Sequence, residues 1–131
     1  MNILIDTHIF LWLLFNPQKA AKRFIKLLEA PENTIYLSDI SLWEMSLKYS
    51  IGKLLLDGVT PEQLAPLANI MGIQSLSLKS ETASSFHQLP RLKHKDPFDR
   101  MLIWQAIERN YSLISNDGSF TEYEPFGLSL I

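Results

Sequence analysis

The chain has 131 residues, 47% hydrophobic and 20% charged, the composition of one soluble globular domain with room for a sizeable core. It has no cysteine, which excludes disulfides and thiolate metal sites and agrees with a reducing compartment. A net charge of −2 speaks against a protein that coats nucleic acid by bulk electrostatics, because that affinity comes from neutralising phosphates.

The N-terminus runs directly into a strand, Ile3–Ile5, with no basic region and no small-residue cleavage site, so no signal peptide is expected. No apolar run reaches membrane-spanning length, and the expected location is the cytoplasm, away from any membrane. His8–Phe15 and Pro17–Ala30 read as two helices, the second with Ala21, Phe24, Ile25 and Leu28 at helical spacing. Thr34–Leu37 is a second strand, and Ile40–Ile51 a helix stopped by Gly52. Thr60 and Pro61 supply the N-cap and first turn of a helix that runs to Gly72. Ile73–Leu78 is a third strand, Ser80–Gln88 a short helix before Pro90, and Pro97–Arg109 a further helix. Tyr111–Ser115 is a fourth strand and Leu128–Leu130 a short fifth. Strands separated by helices imply right-handed crossovers. The expected fold is therefore a single α/β domain over residues 1–131, a three-layer α/β/α sandwich with a mostly parallel central sheet.

In open α/β sheets, sites form outside the carboxyl ends of the strands. Two strands end at or just before an acid: ILID at Asp6 and LISND at Asp117. Each acid also has a purely structural reading. Asp6 precedes a helix and suits an N-cap. Asp117 lies in SNDG, a strong turn signal. Glu44 shares a helix face with Ile40 and Leu47, and Trp43 and Ile51 widen that apolar stripe. A glutamate on a core-facing stripe is expensive unless paired or bound to a cation, and Lys48 at i+4 offers a salt bridge. Asp96 before Pro97 reads as an N-cap, with Asp99 at N3. Leu102, Ile103 and Ala106 follow Asp99 at i+3, i+4 and i+7, so Asp99 opens the buried face.

Convergence of these acids would have a clear consequence. Two like charges 4 Å apart at an effective dielectric of 20 repel by about 4 kcal/mol. Such a cluster either protonates or holds a cation. An all-oxygen donor set suits Mg²⁺ or Mn²⁺, and such an ion supports phosphodiester hydrolysis. Lys48, Lys93, His94, Lys95 and Arg100 are candidate phosphate contacts, or simply a solvated face. His8, His87 and His94 have no zinc spacing. IFLWLLF, residues 9–15, is too apolar for one face of a surface helix; it is either buried or covered by a partner chain, and the latter is the expectation.

The segments ILIDTHIFLW, SLWEMSLKYSIGKL, HKDPFDRML and LISNDGSF, in this order, resemble PIN-domain ribonucleases, and most closely the VapC-type toxins of bacterial toxin–antitoxin pairs. The resemblance spans Asn2 to Phe120. It implies a PilT N-terminus-like α/β/α fold and a metal-dependent endoribonuclease using Mg²⁺ or Mn²⁺, cutting RNA to leave a 5′-phosphate and a 3′-hydroxyl. It also implies a cognate antitoxin that inserts a segment into the site, and a homodimer. By position, Asp6, Glu44 and Asp99 match the family's first three acids and Asp117 the more variable fourth. Thr7, Ser115 and Asn116 match polar positions that support ligands or water, and Asp96 is kept as a helix cap beside the site. Trp104 stands where many relatives have a small residue.

Two rivals are weighed against this. An aspartyl-phosphate phosphatase or receiver would use Asp6 as nucleophile, but the second acid that a dehalogenase-like phosphatase shows two residues on is replaced by His8, and the paired acid region that a receiver needs before the first strand ends is lacking. A non-catalytic PIN-fold RNA- or protein-binding module would not need all four acids.

Overall fold

Residues 1–131 are described by a computed structural model. The apolar run at the N-terminus forms β1 (Asn2–Ile5), and Asp6 then starts α1 (Thr7–Phe15). The chain continues through α2 (Lys22–Glu29), β2 (Thr34–Ser38), α3 (Asp39–Ser50), α4 (Leu64–Ile70) and β3 (Ile73–Leu76). It closes with α5 (Ser80–Ser85), α6 (Pro97–Arg109), β4 (Ser112–Ile114) and β5 (Ser129–Leu130). The five strands form one sheet in the order β3-β2-β1-β4-β5, with every pair parallel. β1 lies at the centre, with Ile3 opposite Ile35 of β2 on one side and Ser112 of β4 on the other.

The two-residue period of the strands divides the core between the faces. Ile3 and Ile5 join Ile35, Leu37, Phe10, Phe24, Met45 and Leu64 in one cluster. Leu4, between them, joins Leu113, Leu102, Ile103, Trp104 and Tyr123 in another. Helices cover both faces, as expected for a parallel sheet built from crossover units. No helix is long and apolar enough to cross a membrane.

Several element boundaries differ from the sequence expectation. The helix expected over Pro17–Ala30 is broken: a 3-10 turn occupies Pro17–Lys19, Ala20 and Ala21 are extended, and α2 starts at Lys22. The break sinks Ala20 into the protein. β3 stops at Leu76 because its ladder partner is Ser38, after which β2 becomes α3 and offers no further pairing. The Ser80–Gln88 helix tightens to a 3-10 turn after Ser85. A long 3-10 segment, Gly118–Phe126, follows β4 and ends at Gly127 with φ +105°, a conformation that favours glycine.

The larger correction concerns α3. Its buried residues are Ile40, Ser41, Glu44 and Met45. Trp43, Leu47 and Ile51 are exposed. Glu44 does face inward, but the buried face is rotated away from the stripe that the apolar residues suggest. In α1 only Thr7, Ile9 and Phe10 are fully buried, and Leu11–Leu14 pack partly covered against the core. Trp104 is buried, and its indole N–H points at the Thr82 carbonyl and the Ser85 hydroxyl, 3.2 Å from each. The bulky ring thus ties α6 to α5.

Candidate metal centre

β1 and β4 are adjacent and parallel, so the acids that follow them emerge at the same edge. The backbone N–H of Asp6 donates to the Ile114 carbonyl at 3.1 Å, extending the ladder to the acid itself. The Asp6 side chain is 3% exposed and its Oδ1 accepts the Ile9 N–H at 2.8 Å. The N-cap reading of Asp6 is therefore correct, and it leaves Oδ2 free of any bond to the helix. Burial pushes the Asp6 carboxyl above its ordinary value; bonds from Ser115 and Ile9 and the nearby His8 oppose this, and the charge of Glu44 adds to it.

Glu44 is 2% exposed. Thr7, the residue after the first acid, donates its hydroxyl to Glu44 Oε1 at 2.7 Å and lies 2.9 Å from the Ser41 hydroxyl. Lys48 pairs with Glu44 Oε2 at 2.5 Å, so the salt bridge expected at i+4 is present. Burial alone would lower the Lys48 ammonium, but its bond and attraction to Glu44, with Asp96 and Asp99 beyond, leave it above its ordinary value.

Asp96 caps α6: its Oδ1 accepts the Asp99 N–H at 2.9 Å. Asp99 faces the other acids. Burial raises its carboxyl to about 6, helped by the charges of Asp96 and Glu44 and opposed by His94. His94 Nε2 lies 2.8 Å from Asp99 Oδ2. Asp117 is exposed and accepts both the hydroxyl and the N–H of Ser119, at 2.7 and 2.9 Å. Those bonds hold it below its ordinary value. Its own N–H donates to Ser115 Oγ at 3.0 Å.

The structure thus gathers Asp6, Glu44 and Asp99 closely enough that their charges act on one another, through Glu44 in both cases. Asp117 lies on the His94 side: one ligand atom each from His94, Asp99 and Asp117 fall within 4.8 Å of one another. Asp6, His8, Trp12, Asn116 and Asp117 line a concavity of about 200 Å³ at this edge. Asp6 and Asp99, raised by burial and by the charge of Glu44, fit a hard divalent cation, which would relieve both.

Two candidate phosphate contacts stand differently from expectation, and two serines enter that the sequence did not single out. Arg100, a candidate phosphate contact, donates from Nη2 to the Leu89 and Pro90 carbonyls at 3.2 Å each and from Nε to the Tyr123 hydroxyl at 3.3 Å. Its guanidinium also lies over the Phe86 ring. These bonds give it a structural task in holding the segment before α6. Arg100→Gln should therefore lower stability by about 1.5–3 kcal/mol, the range for bonds to a charged group, measured by urea unfolding; unchanged stability would free Arg100 for substrate. His94 is placed against Asp99 rather than only on a solvated face. Ser119 had no sequence signal beyond its place after a turn, and Ser41 none beyond its position three residues before Glu44. Lys93 and Lys95 are exposed, as is His87.

The sequence matches the PIN domain family over residues 3–124. No curated protein matches it. Among solved structures, VapBC2 from Rickettsia felis, bound to a DNA fragment from its promoter, is similar with a TM-score of 0.68 and 19% identity, covering 100% of this chain and 98% of that one. FitAcB from Neisseria gonorrhoeae is similar with a TM-score of 0.61 and 21% identity, over 98% of this chain and 96% of that one. A PilT N-terminus domain protein from Sulfolobus solfataricus has a TM-score of 0.60 and 16% identity, over 100% of this chain and 86% of that one. At these identities the structures speak for the fold, and they agree with the parallel five-stranded sheet. The family match covers nearly the whole chain, including the segments that carry all four acids: this chain belongs to the PIN domain family.

Proposed function

We propose that this PIN domain is a divalent-metal-dependent endoribonuclease and the toxin of a VapC-type toxin–antitoxin pair, built as a single domain and acting in the cytoplasm. The observation that carries the reading is the pair of almost fully buried carboxylates, Asp6 and Glu44, facing Asp99 at the carboxyl edge of a parallel sheet. Burying like charges together is unfavourable unless a cation compensates, and the family is in general one of metal-dependent nucleases.

Asp6, Glu44 and Asp99, with Asp117, would hold Mg²⁺ or Mn²⁺. A divalent ion supplies Lewis-acid polarisation of the phosphoryl group and activation of water. The chain's own part is positional. Thr7 orients Glu44 through its 2.7 Å bond. The Ile9 N–H fixes one Asp6 oxygen and leaves the other free of the helix. Asp96 sets the first turn of α6 and so the direction of Asp99. With a net charge of −2, RNA must be met locally; Arg91 and Lys95, which line a small hollow with His94, supply positive charge beside the acids. The solved VapBC relatives are toxin–antitoxin assemblies, which supports a cognate antitoxin for this chain; a homodimer completes the reading.

A second reading, a PIN fold that binds without cutting, draws on the Lys48–Glu44 pair, which satisfies one Glu44 oxygen without a cation. One assay decides between them. Structured RNA incubated with the purified chain should be cut when Mn²⁺ or Mg²⁺ is present, leaving 5′-phosphate ends. Excess EDTA should reduce cleavage to background. Cleavage that persists in EDTA, or no cleavage with either ion on any RNA class, would remove the nuclease reading.

A further inference from the structure

His94 is tethered three ways. Its backbone N–H donates to Glu122 Oε1 at 2.9 Å. The Phe120 ring packs edge-on against the imidazole, with centroids 5.3 Å apart. Ring Nδ1 lies 2.8 Å from Ser119 Oγ. Ser119 has one hydroxyl proton and two neighbours that compete for it. Asp117 Oδ1, 2.7 Å away, is an acceptor only, so the proton goes there. Were it turned to His94 instead, the Ser119 and Asp117 oxygens would face each other with nothing between them. The Ser119 oxygen therefore accepts, and His94 Nδ1 carries the N–H.

This assignment decides the other ring nitrogen. With Nδ1 carrying its own N–H, Nε2 is the nitrogen that can offer a lone pair to a cation, and it lies 2.8 Å from Asp99 Oδ2. Without an ion a proton shared between the ring nitrogen and the carboxyl fills that 2.8 Å gap, and a divalent cation can take the proton's place. Two neighbouring ligands on an octahedral ion, each about 2.1 Å from it, sit about 3 Å apart, close to the observed spacing. The outward partner matches what metal-binding histidines require: the remote N–H held by a hydrogen bond, which sets tautomer and ring plane. The side chains of His94 and Asp99 are 15% and 21% exposed, enough for an ion to enter from solvent.

We propose that His94 Nε2 is a nitrogen ligand of the divalent cation, sharing the ion with Asp99 on the Asp117 side of the acid cluster, oriented by the Ser119–Asp117 bond. The inference rests on the cation of the proposed function but concerns a ligand outside the four acids. An imidazole donor favours Mn²⁺ over Mg²⁺, which prefers oxygen and holds its waters tightly. The site is thereby tuned to the softer ion.

Electron spin-echo spectroscopy of the full chain with one equivalent of Mn²⁺ tests this without reference to cleavage. Wild-type protein should show nitrogen coupling to the ion. The coupling should vanish in His94→Asn and persist in His8→Asn, which removes the other imidazole at this edge. His94→Asn should weaken Mn²⁺ binding by about 10-fold or more, and Mg²⁺ binding less. Ser119→Ala, which removes only the acceptor for Nδ1, should keep the coupling and weaken Mn²⁺ binding less than His94→Asn does. Bound Mn²⁺ with no nitrogen coupling in the wild-type chain overturns the proposal whatever the variants do, as does a coupling lost with His8 instead. If such a chain still cuts RNA, the nuclease reading stands and only the His94 ligand falls. A wild-type chain that binds no Mn²⁺ overturns the proposal, and EDTA-sensitive cleavage then decides whether the nuclease reading survives on Mg²⁺.

Discussion

Asp6→Asn should abolish metal-dependent RNA cleavage, with a loss of about 100-fold or more, while leaving the fold intact. Losing an outer-shell partner alone typically weakens metal affinity or activity by about 10- to 100-fold, and Asp6 is expected to touch the ion directly. The substitution isolates charge from structure unusually well. Asn is as good an N-cap as Asp, so the bond from Ile9 is kept. Burial already disfavours the charged carboxylate, so the neutral side chain should leave the metal-free melting temperature unchanged or slightly higher. The upward shift of melting temperature on adding Mn²⁺ should shrink with activity. Expression of the wild-type chain alone should slow cell growth, and both Asp6→Asn and Glu44→Gln should relieve this. Glu44→Gln is the less clean variant, because Lys48 then loses its anionic partner. Full cleavage by purified Asp6→Asn protein would mean that Asp6 is not in the mechanism.

The metal-free chain should grow more stable as the pH falls from about 6.5 to about 4. Asp99 has its folded value at about 6 against 3.8 for the ordinary carboxyl, and Asp6 is shifted in the same direction. The sign follows from linkage. A group raised on folding contributes stability that is complete below its unfolded value and is lost as pH rises through the folded one. For Asp99 the window runs from about 4 to about 6, and its difference amounts to as much as about 3 kcal/mol. Asp117 works in the opposite sense, since its value is lowered; its contribution is lost only below the window. A bound divalent cation should reverse the trend, because it needs ionised ligands and so stabilises more at pH 7.5 than at pH 5. Urea unfolding in EDTA and in Mn²⁺ at several pH values measures both slopes. A flat profile in EDTA would mean that the carboxylates do not share a buried site.

Local sequence carried the elements whose physics is local. The strands β1 and β2, the Asp96–Pro97 start of α6, and the placement of Asp6 and Asp117 after apolar strands were all readable from a few neighbouring residues. So was the inward position of Glu44, though for an incomplete reason. Apolar spacing pointed to Ile40, Trp43 and Leu47 as one stripe, whereas α3 buries Ile40, Ser41, Glu44 and Met45. A helix with apolar residues on more than one side does not state which side the sheet will take.

What the amino-acid order determined by itself was the set of strands, their caps and the acids at their ends, because dihedral preference, side-chain period and capping act within a turn or two of chain. What only the tertiary structure decided was the company each side chain keeps. Arg100 turns to the Leu89 and Pro90 carbonyls, Thr7 to Glu44, and His94 to both Asp99 and Ser119. These partners are set by the parallel neighbouring of β1 and β4 and by the packing of α3 and α6 on the sheet. Hydrogen bonds and charge interactions require proximity in space, and no spacing along the chain encodes that.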